Sequence, residues 1–169
     1  YIPIEGEGGH VGMSPCSDAE MALLQARRGE MGHVSAEHFV SGPGLETVYR
    51  LQTGEVMSAP EIGAAAMAGE GPAREAATTM LGLLGTVIAD AVLTMGCWRG
   101  VVIAGGIVAQ LQPLLADSPF AERFRHGGTM GRLLADVPVW LSVDPHAGLR
   151  GAAAAIATPS LQARVITAG

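Results

Sequence analysis

The sequence predicts an α/β fold, and three observations carry that reading. Apolar residues recur at helical spacing through most of the chain, two short continuous apolar runs have strand character, and glycine turns separate the two kinds of segment. With 169 residues, 49% of them hydrophobic, the chain is long and apolar enough to bury a core. No self-similarity at the period of a solenoid or propeller appears.

The elements follow in order. Residues 1–4 and 10–13 read as short extended segments around the turn Gly6-Glu7-Gly8-Gly9. Ser17-Asp18-Ala19-Glu20 has the form of a capping box, Met21, Leu24 and Arg28 continue on helical spacing, and Gly29 is the expected stop, giving a helix over 18–28. Ser35 caps a short helix, and Gly42-Pro43-Gly44 punctuates the chain before a helical run with Leu45, Val48, Tyr49 and Leu51. Ser58-Ala59-Pro60-Glu61 starts an alanine-rich helix that ends near Gly69. From 72 to 97 the pattern is apolar nearly all round, which predicts a central helix buried on several faces. Residues 100–104 form a strand, Gly105-Gly106 turns it, and 107–115 is helical, the strand, glycine turn and helix sequence that suits phosphate binding. Two short amphipathic helices over 119–125 and 130–135 precede a second strand over 137–143 and an alanine-rich helix over 149–157.

Charge and composition narrow the function. The net charge is −6, and all ten cations are arginine. Ten scattered arginines supply no basic face, so nucleic acid is not an expected partner. With no lysine in the chain, Schiff-base or lysine-clamp chemistry is excluded. The apolar stretch 80–98 contains Asp90, Thr86 and Thr94 and reads as a core helix, not a membrane span. Cys16 and Cys97 stand in no ligand spacing or disulfide framework, so reduced thiols in a cytoplasmic protein are expected. The chain opens at Tyr1 with neither an initiator Met nor a signal peptide, as though cut from something longer.

Two clusters carry candidate chemistry. Glu7 and His10 flank two glycines that let a ligand approach the backbone. A carboxylate accepts from vicinal hydroxyls and a neutral imidazole either donates or accepts, so the pair suits a polyol; a surface turn with an incidental histidine has the same sequence. The turn lacks the third glycine of a dinucleotide fingerprint. Glu37 lies in the first turn of the short helix after Ser35, where a carboxylate also simply complements the helix dipole. His33 and His38, with Glu7 and His10, match no standard metal spacing.

Taken in order, five blocks resemble the bacterial ATP-dependent glucokinases of the hexokinase and actin superfamily. They are Gly6-Glu7-Gly8-Gly9-His10-Val11, Gly32-His33-Val34-Ser35-Ala36-Glu37, Ser41-Gly42-Pro43-Gly44-Leu45, Ile103-Ala104-Gly105-Gly106-Ile107-Val108 and Gly148-Leu149-Arg150-Gly151-Ala152. The resemblance implies the C-terminal lobe of an actin-like, ribonuclease H-like ATPase, a mixed sheet with flanking helices. It implies a large lobe over 1–147 and a terminal helix over 148–169 that returns to a small lobe. It further implies a glycolytic kinase that moves the γ-phosphoryl group of ATP, with Mg²⁺, to the 6-hydroxyl of glucose. Glu7 and His10 would bind glucose hydroxyls, Glu37 would accept from the anomeric end, and Gly105 and Gly106 would belong to the adenosine-binding motif. The family's Asp-Xaa-Gly-Gly phosphate loop and its Asn-Asp pair with the catalytic base have no counterpart here, so no catalytic residue is expected in this chain. The cysteine-rich zinc loop of the related sugar-responsive repressors is likewise missing, and no metal ligand is expected. A cytoplasmic homodimer follows from the same resemblance, without nucleic acid or membrane partners. A sugar-sensing regulatory module and another sugar kinase of the superfamily are the alternatives.

Overall fold

A computed structural model describes residues 6–69 and 71–159. The extended segment expected over 1–4 lies outside the described residues, as does the end of the terminal segment, 160–169. The first long helix, α1 (Asp18–Met31), starts where Ser17 Oγ accepts from the Glu20 N–H at 3.2 Å. The helix runs through Gly29 and stops at Gly32, whose φ of 77° lies in the left-handed region. Gly29 was the expected stop, but a glycine ends a helix only when its backbone leaves the helical region, and that happens three residues later.

Helix α2 (Gly42–Thr53) begins inside the Gly-Pro-Gly motif, capped by Ser41 with the proline in its first turn, so the motif opens the helix instead of preceding it. Helix α3 (Ala59–Ala68) has the expected capping box, with Ser58 N–H donating to Glu61 at 3.0 Å, and ends on left-handed Gly69. The Ala59 N–H also donates to Glu46 of α2 at 2.9 Å, which sets the two helices together. Helix α4 (Gly71–Met95) is the central one. Its length and apolarity would suffice to cross a membrane, yet most of that apolar window is buried inside the fold. It packs against α2, α3 and α6 (Phe120–Arg125). The main core gathers Phe39, Leu45, Val48, Ile62, Met80, Leu81 and Leu111 around it, all 1% exposed or less.

Gly85 admits α6 to within backbone contact of α4, because a Cβ there would stand 2.5 Å from the Phe120 carbonyl oxygen. Glu20 of α1 and Arg123 of α6 form a buried ion pair beside this contact, and Glu20 accepts from the Cys16 N–H as well.

Strands β1 (Val101–Ala104) and β2 (Val139–Ser142) pair in parallel, with Val102 opposite Trp140 and Ile103 opposite Leu141. The crossover between them contains α5 (Gly106–Gln110), α6 and α7 (Gly131–Ala135), as a parallel pair requires. Among the described residues the sheet is this parallel pair, so the mixed sheet reduces to an α/β fold that is mainly helical. The helix expected over 107–115 breaks after Gln110 and continues as the 3-10 turn Gln112–Leu114, where Pro113 has no N–H to extend it. Both strand runs are continuously apolar in sequence, but their two faces differ in burial. Ile103 is buried, but Val102 is 64% and Trp140 53% exposed on the opposite face. The chain closes with α8 (Ala147–Ala157).

Candidate functional site

The turn expected at Gly6-Glu7-Gly8-Gly9 takes in His10, which was expected to begin an extended segment: Gly8–His10 fold into one 3-10 turn, with the His10 N–H donating to the Glu7 carbonyl at 2.9 Å. That turn brings the two side chains of Glu7 and His10 together, His10 Nδ1 lying 3.6 Å from a Glu7 carboxylate oxygen. The chain then extends, and Gly12 forms an antiparallel bridge with Ser35 while the Ala36 N–H donates to the Val11 carbonyl at 2.9 Å. This bridge lays the turn Ala36–His38 beside the glycine turn, and His10 Nε2 comes to 3.6 Å from Glu37 Oε2.

One imidazole thus stands between two carboxylates, and the three predicted sugar-binding residues converge. All are exposed, with side-chain accessibilities of 66% for His10, 86% for Glu7 and 56% for Glu37. At 3.6 Å neither approach is a hydrogen bond, so the acceptors of both carboxylates and the imidazole nitrogens remain free to meet hydroxyl groups. Gly9 lies against Glu37, and a Cβ there would meet its side chain at 3.6 Å, an ordinary contact that does not by itself require glycine.

The turn under Glu37 is held from both ends. The Ser35 N–H donates to His38 Nδ1 at 3.0 Å, and Ser35 Oγ lies at the same distance from that nitrogen. The Ser41 hydroxyl donates to the Glu37 carbonyl at 2.8 Å and accepts from the Gly44 N–H at 2.9 Å, tying the turn to α2. Gly44 packs directly on the backbone of Phe39, at a distance no side chain would allow. The Ser-Gly-Pro-Gly block is therefore the buttress of Glu37.

Gly105 and Gly106 lie elsewhere, at the carboxyl ends of both parallel strands. They border a cleft of about 490 Å³ that Ala109, Ser142, Asp144 and Gly148 also line. Gly105 has a φ of 142°, and a Cβ at either glycine would project into open space. Ligands of open α/β sheets bind at this end of the strands. Sequence reasoning passed over Ser142 and Asp144; extending the same rule from β1 to β2 would have found them. Asp144 pairs with Arg150 at 3.0 Å and accepts from the His146 N–H at 2.9 Å, which shapes the rim of the cleft. His38 was seen only as a poor metal ligand, although its place three residues after Ser35 is that of a capping-box partner. Among the described residues no group of three His, Cys, Asp or Glu is arranged to hold a metal ion.

The glucokinase family model matches residues 1–159. The chain belongs to the glucokinase family. It is 35% identical to the glucokinase of Neisseria meningitidis serogroup C over 163 residues, 92% of this chain and 50% of that protein. The crystal structure of a glucokinase from an Antarctic psychrotroph superimposes with a TM-score of 0.81 at 32% identity, over 89% of this chain and 49% of that one. A glucokinase from Balamuthia mandrillaris, solved in complex with glucose, shares the fold at a TM-score of 0.67 and 18% identity, over 84% of this chain and 44% of that one. The chain therefore spans about half the length of the glucokinases it matches.

Proposed function

We propose that this chain is the large C-terminal lobe of a glucokinase, residues 1–147, with 148–169 returning toward a small lobe, and that it holds glucose through Glu7, His10 and Glu37. The observation that carries this reading is the convergence of His10 with both carboxylates, which two sequence blocks achieve only through the Gly12–Ser35 bridge. Two acceptors flanking an imidazole suit vicinal hydroxyls, and the related glucokinase from Balamuthia mandrillaris was crystallised with glucose.

In the complete enzyme the glucose 6-hydroxyl attacks the γ-phosphorus of ATP. The new O–P bond forms as the bond to the bridging oxygen breaks, ADP leaves with the electron pair, and the hydroxyl proton passes to an aspartate outside this chain. The three residues named here orient the sugar so that only its 6-hydroxyl faces the phosphate. Positioning of this kind supplies about 7 to 11 kcal/mol in well-aligned systems. The cleft at Gly105 and Gly106 fits the adenosine end of ATP, because the missing side chains leave open space at the carboxyl ends of the strands. The described residues contain no ligand set suited to Mg²⁺, and none of them is assigned to it. The whole enzyme is expected to be a cytoplasmic homodimer.

Calorimetry of glucose binding to the full-length protein, with a coupled assay of glucose and ATP, tests the reading. Glu37→Ala removes one acceptor and should weaken glucose binding by roughly 1 to 3 kcal/mol. Unchanged affinity would remove Glu37 from the site, and no turnover in the wild type would favour a sugar-sensing module.

A further inference from the structure

We propose that His38, which follows Glu37 in the same turn, is the residue that positions Glu37. The inference rests on the reading of Glu37 as a glucose ligand. The turn Ala36–His38 has only one residue between its N-cap and Glu37, so whatever fixes Ser35 fixes the carboxylate. Ser35 is 1% exposed, and its N–H donates to His38 Nδ1 at 3.0 Å. Without that nitrogen a buried donor loses its acceptor, and the turn's entry loses its cap. Ser35 is also the residue that bridges to Gly12, two residues beyond His10. The imidazole of His38 therefore holds the joint through which Glu37 and His10 are set 3.6 Å apart.

The choice of histidine is informative. Glutamate or glutamine is the usual partner at this position of a capping box. A glutamate here would add a second negative charge to the turn that already carries Glu37. A neutral imidazole accepts from Ser35 without adding charge. It must do so through an unprotonated Nδ1, which places the ring proton on Nε2.

The test is glucose calorimetry on the full-length protein with His38→Ala, His38→Gln, Glu37→Ala and the Glu37→Ala/His38→Ala double variant. Loss of the cap should weaken glucose binding about fivefold, the equivalent of roughly 1 kcal/mol for one cap. His38→Gln, which keeps an acceptor and no charge, should restore most of it. In the Glu37→Ala background His38→Ala should have no further effect, because there is no carboxylate left to position. Nitrogen NMR of the wild type should find His38 as the Nε2–H tautomer, a readout independent of whether His38→Ala folds. Unchanged affinity in His38→Ala, equal losses in His38→Ala and His38→Gln, additive losses in the double variant, or an Nδ1–H tautomer would each overturn the proposal. A wild type that binds no glucose, or Glu37→Ala with unaltered affinity, would instead overturn the sugar reading on which it rests.

Discussion

Replacing Gly44 by alanine sets two effects against each other, and their magnitudes decide the sign. Alanine is the better helix former by about 0.8 to 1 kcal/mol, and Gly44 sits in the first turn of α2 without a positive φ. Propensity alone therefore predicts stabilisation. A Cβ at Gly44, however, would stand 2.4 Å from the carbonyl carbon, 2.5 Å from the oxygen and 2.8 Å from the Cα of Phe39. These are backbone atoms, about 1 Å inside ordinary contact, and the Phe39 ring cannot retreat because it is 1% exposed. Overpacking costs about 1 to 3 kcal/mol, and a rigid backbone neighbour puts this site at the upper end. The net expectation is a loss of about 2 kcal/mol, after the propensity gain is offset. Gly29→Ala provides the control: its Cβ would meet nothing within 4 Å and its φ is not positive, so there the propensity term acts alone and should stabilise by about 0.5 to 1 kcal/mol. Urea unfolding followed by the fluorescence of Trp98 and Trp140 measures both. Because Phe39 follows the turn that carries Glu37, Gly44→Ala should also weaken glucose binding. A Gly44→Ala variant as stable as the wild type would refute the argument from close approach.

Arg123→Ala should destabilise by about 3 to 5 kcal/mol, because Glu20 would remain buried without its partner, whereas replacing both residues by methionine should recover most of the loss in the same urea experiment. Glu30, bonded to Arg50 and Arg27, has its carboxyl lowered from 4.5 to about 2. Its folded-state value lies below the unfolded one, so its contribution is complete above pH 4.5 and is lost as the pH falls toward 2. Acid titration of wild type and Glu30→Gln should therefore show a wild-type advantage at neutral pH that disappears across that window.

The legible parts of this protein are those that local chemistry decides. Ser17 accepts from the amide three residues on at the start of α1, Ser58 donates to Glu61 in the capping box of α3, and Gly69 ends α3 by a backbone state that glycine enters freely. The buried periphery of α4 was likewise written in its all-round apolar pattern. The five blocks, read together, carried the family, and with it the identity of the sugar-binding candidates.

What remained for the tertiary structure was every decision between distant partners. Gly29 continues a helix and Gly32 ends one, although both are glycines, because the difference lies in a dihedral angle set by the chain that follows. Continuous apolar strands cannot say which face is covered; Ile103 turns to the core and Val102 to solvent. Glu20 looked like the closing residue of a capping box, yet its partners are Arg123, far along the chain, and the amide of Cys16. Above all, the Gly6 to His10 turn has the sequence of an ordinary surface loop when it stands alone. Only the bridge from Gly12 to Ser35 brings Glu37 to His10, because the contact depends on backbone pairing between segments whose separation in sequence hides their adjacency in space.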